Sequence, residues 1–152
     1  MATRGFEFAY MLDGSPGTPL IQDFVLGAAA AHKKGDLMIV ESDGYINAAT
    51  ASFSEVTCIM AEALAAADVT AGTTSGKAAI ITRNQVWRCS MDASTTALLV
   101  AYTKTGDIVD ANTIDADGSS GTMCILDVSG LDEDGNVLAY VVFQDTSFGT
   151  AA

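Results

Sequence analysis

Positive charge is scarce in this chain, with 7 Lys and Arg against 19 Asp and Glu and a formal net charge of −12. Phosphate backbones and anionic headgroups are held through Lys and Arg contacts, so no nucleic acid and no membrane surface is expected as a direct partner. The chain has one histidine, His32 in "AAAAHKKGD". A Ser-His-Asp or Cys-His arrangement would have to be built on it, and no partner for it is signalled. Lys33 and Lys34 beside it disfavour its protonated form, and it reads as a surface or loop residue. Cys58, Cys89 and Cys124 are odd in number and lack CxxC spacing, which signals neither a disulfide framework nor a zinc site. Each lies in an apolar or β-rich stretch and reads as a buried, reduced thiol. No apolar run approaches the roughly 18 residues of a membrane span. In "MATRGFEFAYML", Glu7 interrupts what a signal peptide would keep apolar, so export by that route is not expected.

Alanine, glycine and short β-rich runs make up much of the rest. At 152 residues the chain supports one domain, which at this size buries about 70% of the surface its unfolded form exposes. Phe6, Phe8, Tyr10 and Leu12 recur at every second position, the pattern of one strand face, and "DGSPGTPL" then breaks any regular element. Residues 1–20 therefore read as an extended N-terminal arm, and residues 21–152 as a single β-rich domain. The arm is either the first strand of the domain's own sheet or a strand added to a neighbour's sheet edge.

In "KKGDLMIVESDGYINAAT", Leu37–Ser42 and Tyr45–Ala49 flank Asp43-Gly44, the signature of a hairpin with a type I′ turn. "SFSEVTCIM" continues as a strand. "AEALAAAD" is either one or two helical turns or a loop. Short β-rich pieces follow at Ala78–Thr82 and Val86–Ser90, and "ALLVAYT" is a strand or a short helix. "KTGDIVDANTIDADGSSG" reads as a long acidic surface loop. "TMCILDVSG" and "NVLAYVVFQ" form a last hairpin, whose second strand is apolar on both faces and expected to be buried on both. Many short strands between turn signals point to a barrel or sandwich. The fold class is thus mainly β, a small barrel with at most one or two short helices.

The motifs that could carry chemistry fail on spacing. A calcium loop needs Asp at position 1 and a bidentate carboxylate at 12 when Gly stands at 6. Counted from Gly118, those positions hold Thr113 and Cys124; from Gly135 they hold Gly130 and Val141. "DADGSS" and "DEDGN" therefore read as turns. "GTTSGKA" has one residue too few between its glycines for a phosphate loop, and Ala78 where a hydroxyl is needed. Trp87 reads as a core or subunit-contact anchor. No catalytic, cofactor-binding or metal-binding residue is assigned and no cofactor is expected. Phe6, Phe8, Tyr10, Leu12, Leu20 and Trp87 are the candidate partner-binding residues.

The order of these pieces resembles the head decoration, or capsid cement, proteins of tailed bacteriophages, related in fold to the lambda head-decoration protein. Gly35, Asp36, Asp43 and Gly44 match that family's first strand pair. Ile80, Ile81, Arg83, Val86 and Trp87 match its later apolar segment, and the resemblance covers roughly residues 33–90. It implies a β-tulip fold and a non-enzymatic virion structural protein, commonly trimeric. Such a protein sits on the outside of the expanded capsid, is held by the major capsid protein lattice, and stabilises the shell against internal DNA pressure. The alternatives from sequence are another virion component, such as a head fibre base, tail-tube or spike protein, or a soluble β-rich binding module.

Overall fold

The computed structural model describes residues 5–51, 55–91, 105–115, 123–144 and 146–147. The chain is mainly β, and its curled sheets form a half-barrel. In order the strands are β1 (Glu7–Met11), β2 (Ile21–Val25), β3 (Leu37–Val40), β4 (Ile46–Ala48), β5 (Cys58–Met60), β6 (Ser75–Ile80), β7 (Gln85–Met91), β8 (Thr105–Asp110), β9 (Thr113–Asp115), β10 (Met123–Leu131) and β11 (Val137–Phe143). "AEALAAAD" contributes a single 3-10 turn at Ala66–Asp68. "ALLVAYT" and most of "DADGSS" lie outside the described residues.

One sheet has six strands in the order β1-β7-β11-β10-β8-β9, and a parallel pairing of β7 with β9 brings it back on itself. The other has five in the order β2-β6-β5-β3-β4, and a bridge from Leu26 to Ile46 curls it too. Side chains alternate across a strand, and here both sets are used. Leu37, Ile39, Ile59, Ala79 and Ile81 face the main core, where they meet Trp87, Cys89, Met91, Val141 and Phe143. Their neighbours Met38, Cys58, Met60 and Ala78 turn the other way, into a second cluster closed by Leu26, Ile46 and Val69. A fully buried Leu, Ile, Met or Phe contributes about 1.5–3 kcal/mol, so these two clusters supply the main drive for folding. β11 is buried on both faces apart from Tyr140, as its doubly apolar sequence leads one to expect.

Three local expectations are corrected. The first hairpin does not turn on a type I′ pair. The Gly44 N–H donates to the Glu41 carbonyl at 2.9 Å, so Ser42 and Asp43 are the central residues. Gly44 follows them at φ +84°, the geometry of a type I turn closed by a left-handed residue, and the Asp43 carboxylate accepts the Tyr45 N–H at 2.9 Å. The acidic "loop" holds the β8–β9 hairpin, because Ile108 and Ile114 reach the core. Its turn is fastened by Asp110, whose Oδ1 accepts the Asn112 and Thr113 N–H groups, each at 2.9 Å.

The third correction concerns the N-terminal segment. Of its two readings, the one that applies within this chain is the strand of its own sheet: β1 pairs antiparallel with β7. Nor do Phe6, Phe8, Tyr10 and Leu12 share a face, because the register slips between Phe8 and Tyr10. Phe8 stands opposite Trp87 and Tyr10 opposite Val86, the next residue along β7. The extra residue is a β-bulge, which re-aims the side chains beyond it. Phe6 and Phe8 point to the main core, while Tyr10 reaches the outer face, its ring 6.2 Å from that of Tyr140.

Candidate functional site

A groove of about 620 Å³ runs beside β1 and β2, the end strands of the two sheets. Phe6, Phe8, Ile21, Ile59, Met60 and Trp87 form its apolar walls, and Lys34 stands in its lining. The walls are fixed from below. The Phe6 N–H donates to the Gly35 carbonyl at 2.8 Å, and the Phe6 ring lies 5.5 Å from that of Phe143. Phe8 meets Trp87 edge to face at 5.6 Å. The Trp87 Nε1–H donates to Gln85 Oε1 at 3.1 Å, and Gln85 in turn donates from Nε2 to the Ile80 carbonyl at 3.0 Å.

The candidate partner-binding residues therefore divide. Phe6 and Trp87, 2% and 3% exposed, are anchors of the chain's own core and show at most an edge in the groove floor. Each already has packing and hydrogen-bond partners inside the chain. Phe8 is half-buried against the core. Tyr10, Leu12 and Leu20 are exposed by 49%, 48% and 61%, and Ile21 joins them at 49%. Leu12 and Leu20 are held at one end of the molecule. The Leu12 N–H donates to the Asn84 carbonyl at 2.7 Å, and the Ile80 N–H donates to the Leu20 carbonyl at 2.9 Å, so one end of the 12–20 loop is tied to the β6–β7 connection and the other to the end of β6. Asp13 tightens that tie. It accepts from Ser15 Oγ at 2.6 Å and Asn84 Nδ2 at 3.2 Å, and the bonds from Ser15, foremost among its interactions, hold its carboxyl below the usual value.

Sequence reasoning missed Ile21, Lys34, Ile59 and Met60. The signal that could have found the first was the apolar pair Leu20-Ile21 directly after Pro19. Ile59 and Met60 are brought to the groove by the pairing of β5 with β6, and Lys34 by the turn that leads into β3.

Elsewhere the titratable groups serve the scaffold. His32 is not a surface residue but buried, 4% exposed. Its backbone pairs with that of Leu64 through two 2.9 Å bonds, and neither ring nitrogen has a hydrogen-bond partner. Burial lowers its pKa and the nearby Asp36 opposes this, so desolvation, not the neighbouring lysines, disfavours the charged form. Burial raises Asp36, although its Oδ2 accepts the Lys33 N–H at 2.9 Å. Asp132 organises the last turn: its Oδ1 accepts the Asp134 and Asn136 N–H groups at 2.9 Å, and its Oδ2 accepts from Ser90 Oγ at 2.8 Å. Burial raises its pKa, and these hydrogen bonds outweigh that and hold it low. Such bonds explain "DEDGN" as a turn. Cys58 and Cys89 are buried, and burial pushes the Cys58 thiol up to about 12 and the Cys89 thiol higher still. Among the described residues, no three His, Cys, Asp or Glu side chains gather where they could hold a metal ion.

What this arrangement offers chemically is contact: an apolar groove, an apolar rim and two sheet ends. No family model matches the chain, and no curated protein matches it.

Proposed function

We propose that the chain is a virion structural protein that works by adhesion, a decoration protein on the outer surface of the expanded head of a tailed bacteriophage. The observation that carries this reading is the group Tyr10, Leu12, Leu20 and Ile21, exposed beside two sheet ends on a chain of net charge −12. Contiguous exposed apolar surface with a polar surround marks a contact site, while net charge keeps copies apart until specific contacts form. The matches at Gly35, Asp36, Asp43 and Gly44, and at Ile80, Ile81, Arg83, Val86 and Trp87, point the adhesion toward a capsid lattice and toward trimeric copies of the chain.

The mechanism is mass action. A protein that binds only the expanded shell stabilises it by RT ln(1 + [L]/Kd), about 2.7 kcal/mol per site at a hundredfold excess over Kd. Repeated over a lattice, that opposes internal pressure. The test is sedimentation of the purified chain with expanded and with unexpanded heads. The chain is expected to travel with the expanded heads alone, and the double variant Leu20→Asp, Ile21→Asp is expected to stay in solution while remaining folded. Equal sedimentation of parent and variant would reject the reading.

A further inference from the structure

The two sheet ends beside the groove are not equivalent. β1 carries the bulge between Phe8 and Tyr10, and bulges are a device that makes an edge poor at pairing. β2 has none: Ile21 to Val25 pair with Ala79 to Ser75 in unbroken register. On its other side β2 is the end of the sheet. Among the described residues that side is taken up only past Val25, where Leu26 bridges to Ile46 and the Gly27 N–H donates to the Ile46 carbonyl at 2.9 Å. The five-stranded sheet thus curls shut at Leu26 and stays open along β2, with Ile21 in the groove wall.

An open strand edge is a row of backbone donors and acceptors, and the ligand that satisfies such a row is another backbone. A compact apolar molecule would fill the groove and leave the edge unpaired. A strand does both, because its alternate side chains point to one face. Charge adds a further condition. Lys34 lines the groove and is exposed, and it forms no ion pair with any described residue. It is one of only 7 basic residues in the chain.

We propose that this groove receives an extended segment of a partner polypeptide, added as a new strand to the open edge of β2. Its alternate apolar side chains rest on Phe8 and Ile21, over the buried floor that holds Trp87, and an acidic side chain meets Lys34. This goes beyond the capsid reading, since a strand receptor needs no shell.

The experiment is selection of linear peptides from a random displayed library on the full-length chain, followed by binding of the consensus peptide. Trp87, the only tryptophan, lies in the groove and reports occupancy by its emission. The inference expects a consensus of alternating apolar residues with an acid nearby, a shift in Trp87 emission, and slowed amide exchange confined to residues 21–25 and their neighbours. N-methylation of alternate backbone amides in the peptide should weaken binding about tenfold or more, since it removes the ladder bonds. Lys34→Glu should weaken it several-fold, and Ile21→Asp should abolish it with the thermal midpoint unchanged. A library without binders, binders that leave Trp87 and β2 unaffected, or affinity indifferent to N-methylation would overturn it. Head binding without peptide binding sinks this inference and leaves the capsid reading; peptide binding without head binding does the reverse.

Discussion

Phe6 lies in the core with its ring 5.5 Å from that of Phe143, whereas Leu20 stands in solvent at the rim of the groove. Truncating a buried Phe to Ala removes its transfer energy and leaves a cavity, at a cost of about 3–5 kcal/mol. Phe6→Ala is expected to lower unfolding stability in urea by that amount, and Leu20→Ser to change it by no more than about 0.5 kcal/mol. His32 gives a pH test. Its folded-state pKa lies below the ordinary value, so the unfolded chain takes up a proton first. The stability from this source is complete above about pH 6.5 and is lost as pH falls below it. Asp36 is the charged group that acts on His32, and Lys33 and Asp110 act in turn on Asp36. Asp36, raised by burial, acts in the opposite sense, with stability complete below about pH 3.9 and lost as pH rises through its raised value. His32→Leu removes a buried ring with unpartnered nitrogens, which is nearly neutral or stabilising. The variant should match or exceed the parent in urea near neutral pH, and its advantage should grow as the pH falls below about 6; an advantage that shrinks would refute the buried neutral form. Thiol reactivity follows from burial as well. Alkylation of the native protein followed by mass spectrometry should mark Cys124, half-buried, well before Cys58 and Cys89, because thiolate is the reacting species and burial suppresses it.

At the scale of elements the bulge in β1 carries the most weight. It sends Phe8 inward to Trp87 and Tyr10 outward to Tyr140, and the same register sets Glu7 opposite Arg88, joined by a 2.6 Å ion pair. Deleting Ala9 removes the extra residue and keeps Phe8 opposite Trp87 and Tyr10 opposite Val86, so the edge is straightened and neither ring changes face. The deletion is expected to leave the Trp87 emission of the native protein unchanged; emission shifted toward that of exposed indole would contradict this register. The last hairpin was legible in the residues, because "CILDVSG" and "NVLAYVVF" frame an Asp-Gly turn. The β8–β9 hairpin was not: its core contribution rests on Ile108 and Ile114, isolated among acids that look like loop chemistry, one of which, Asp110, is the turn's fastening. The fate of Phe6 and Tyr10 was equally hidden, since a period-two pattern carries no mark of where a register slips. β2 has the sequence IQDFV, which lacks clear alternation, and it becomes a strand through pairing with β6.

For the whole molecule, two curled sheets enclose the main core, and contacts such as the Leu37 N–H to the Ala111 carbonyl at 2.6 Å tie one to the other. The mainly β class follows from strand lengths and turn spacing, and the structure bears it out. The site was legible only in part: Tyr10, Leu12 and Leu20 could be named from sequence, but the groove exists because residues distant in the chain, Phe8 and Trp87 or Ile21 and Ala79, are brought side by side by strand pairing. The central claim, adhesion through this end of the molecule, is tested most directly by electron cryomicroscopy of expanded heads saturated with the chain. Density for the chain should lie on the outer surface with the 10–21 segment turned toward the shell. Heads that remain bare at saturation, or a bound chain with that segment turned to solvent, would contradict it.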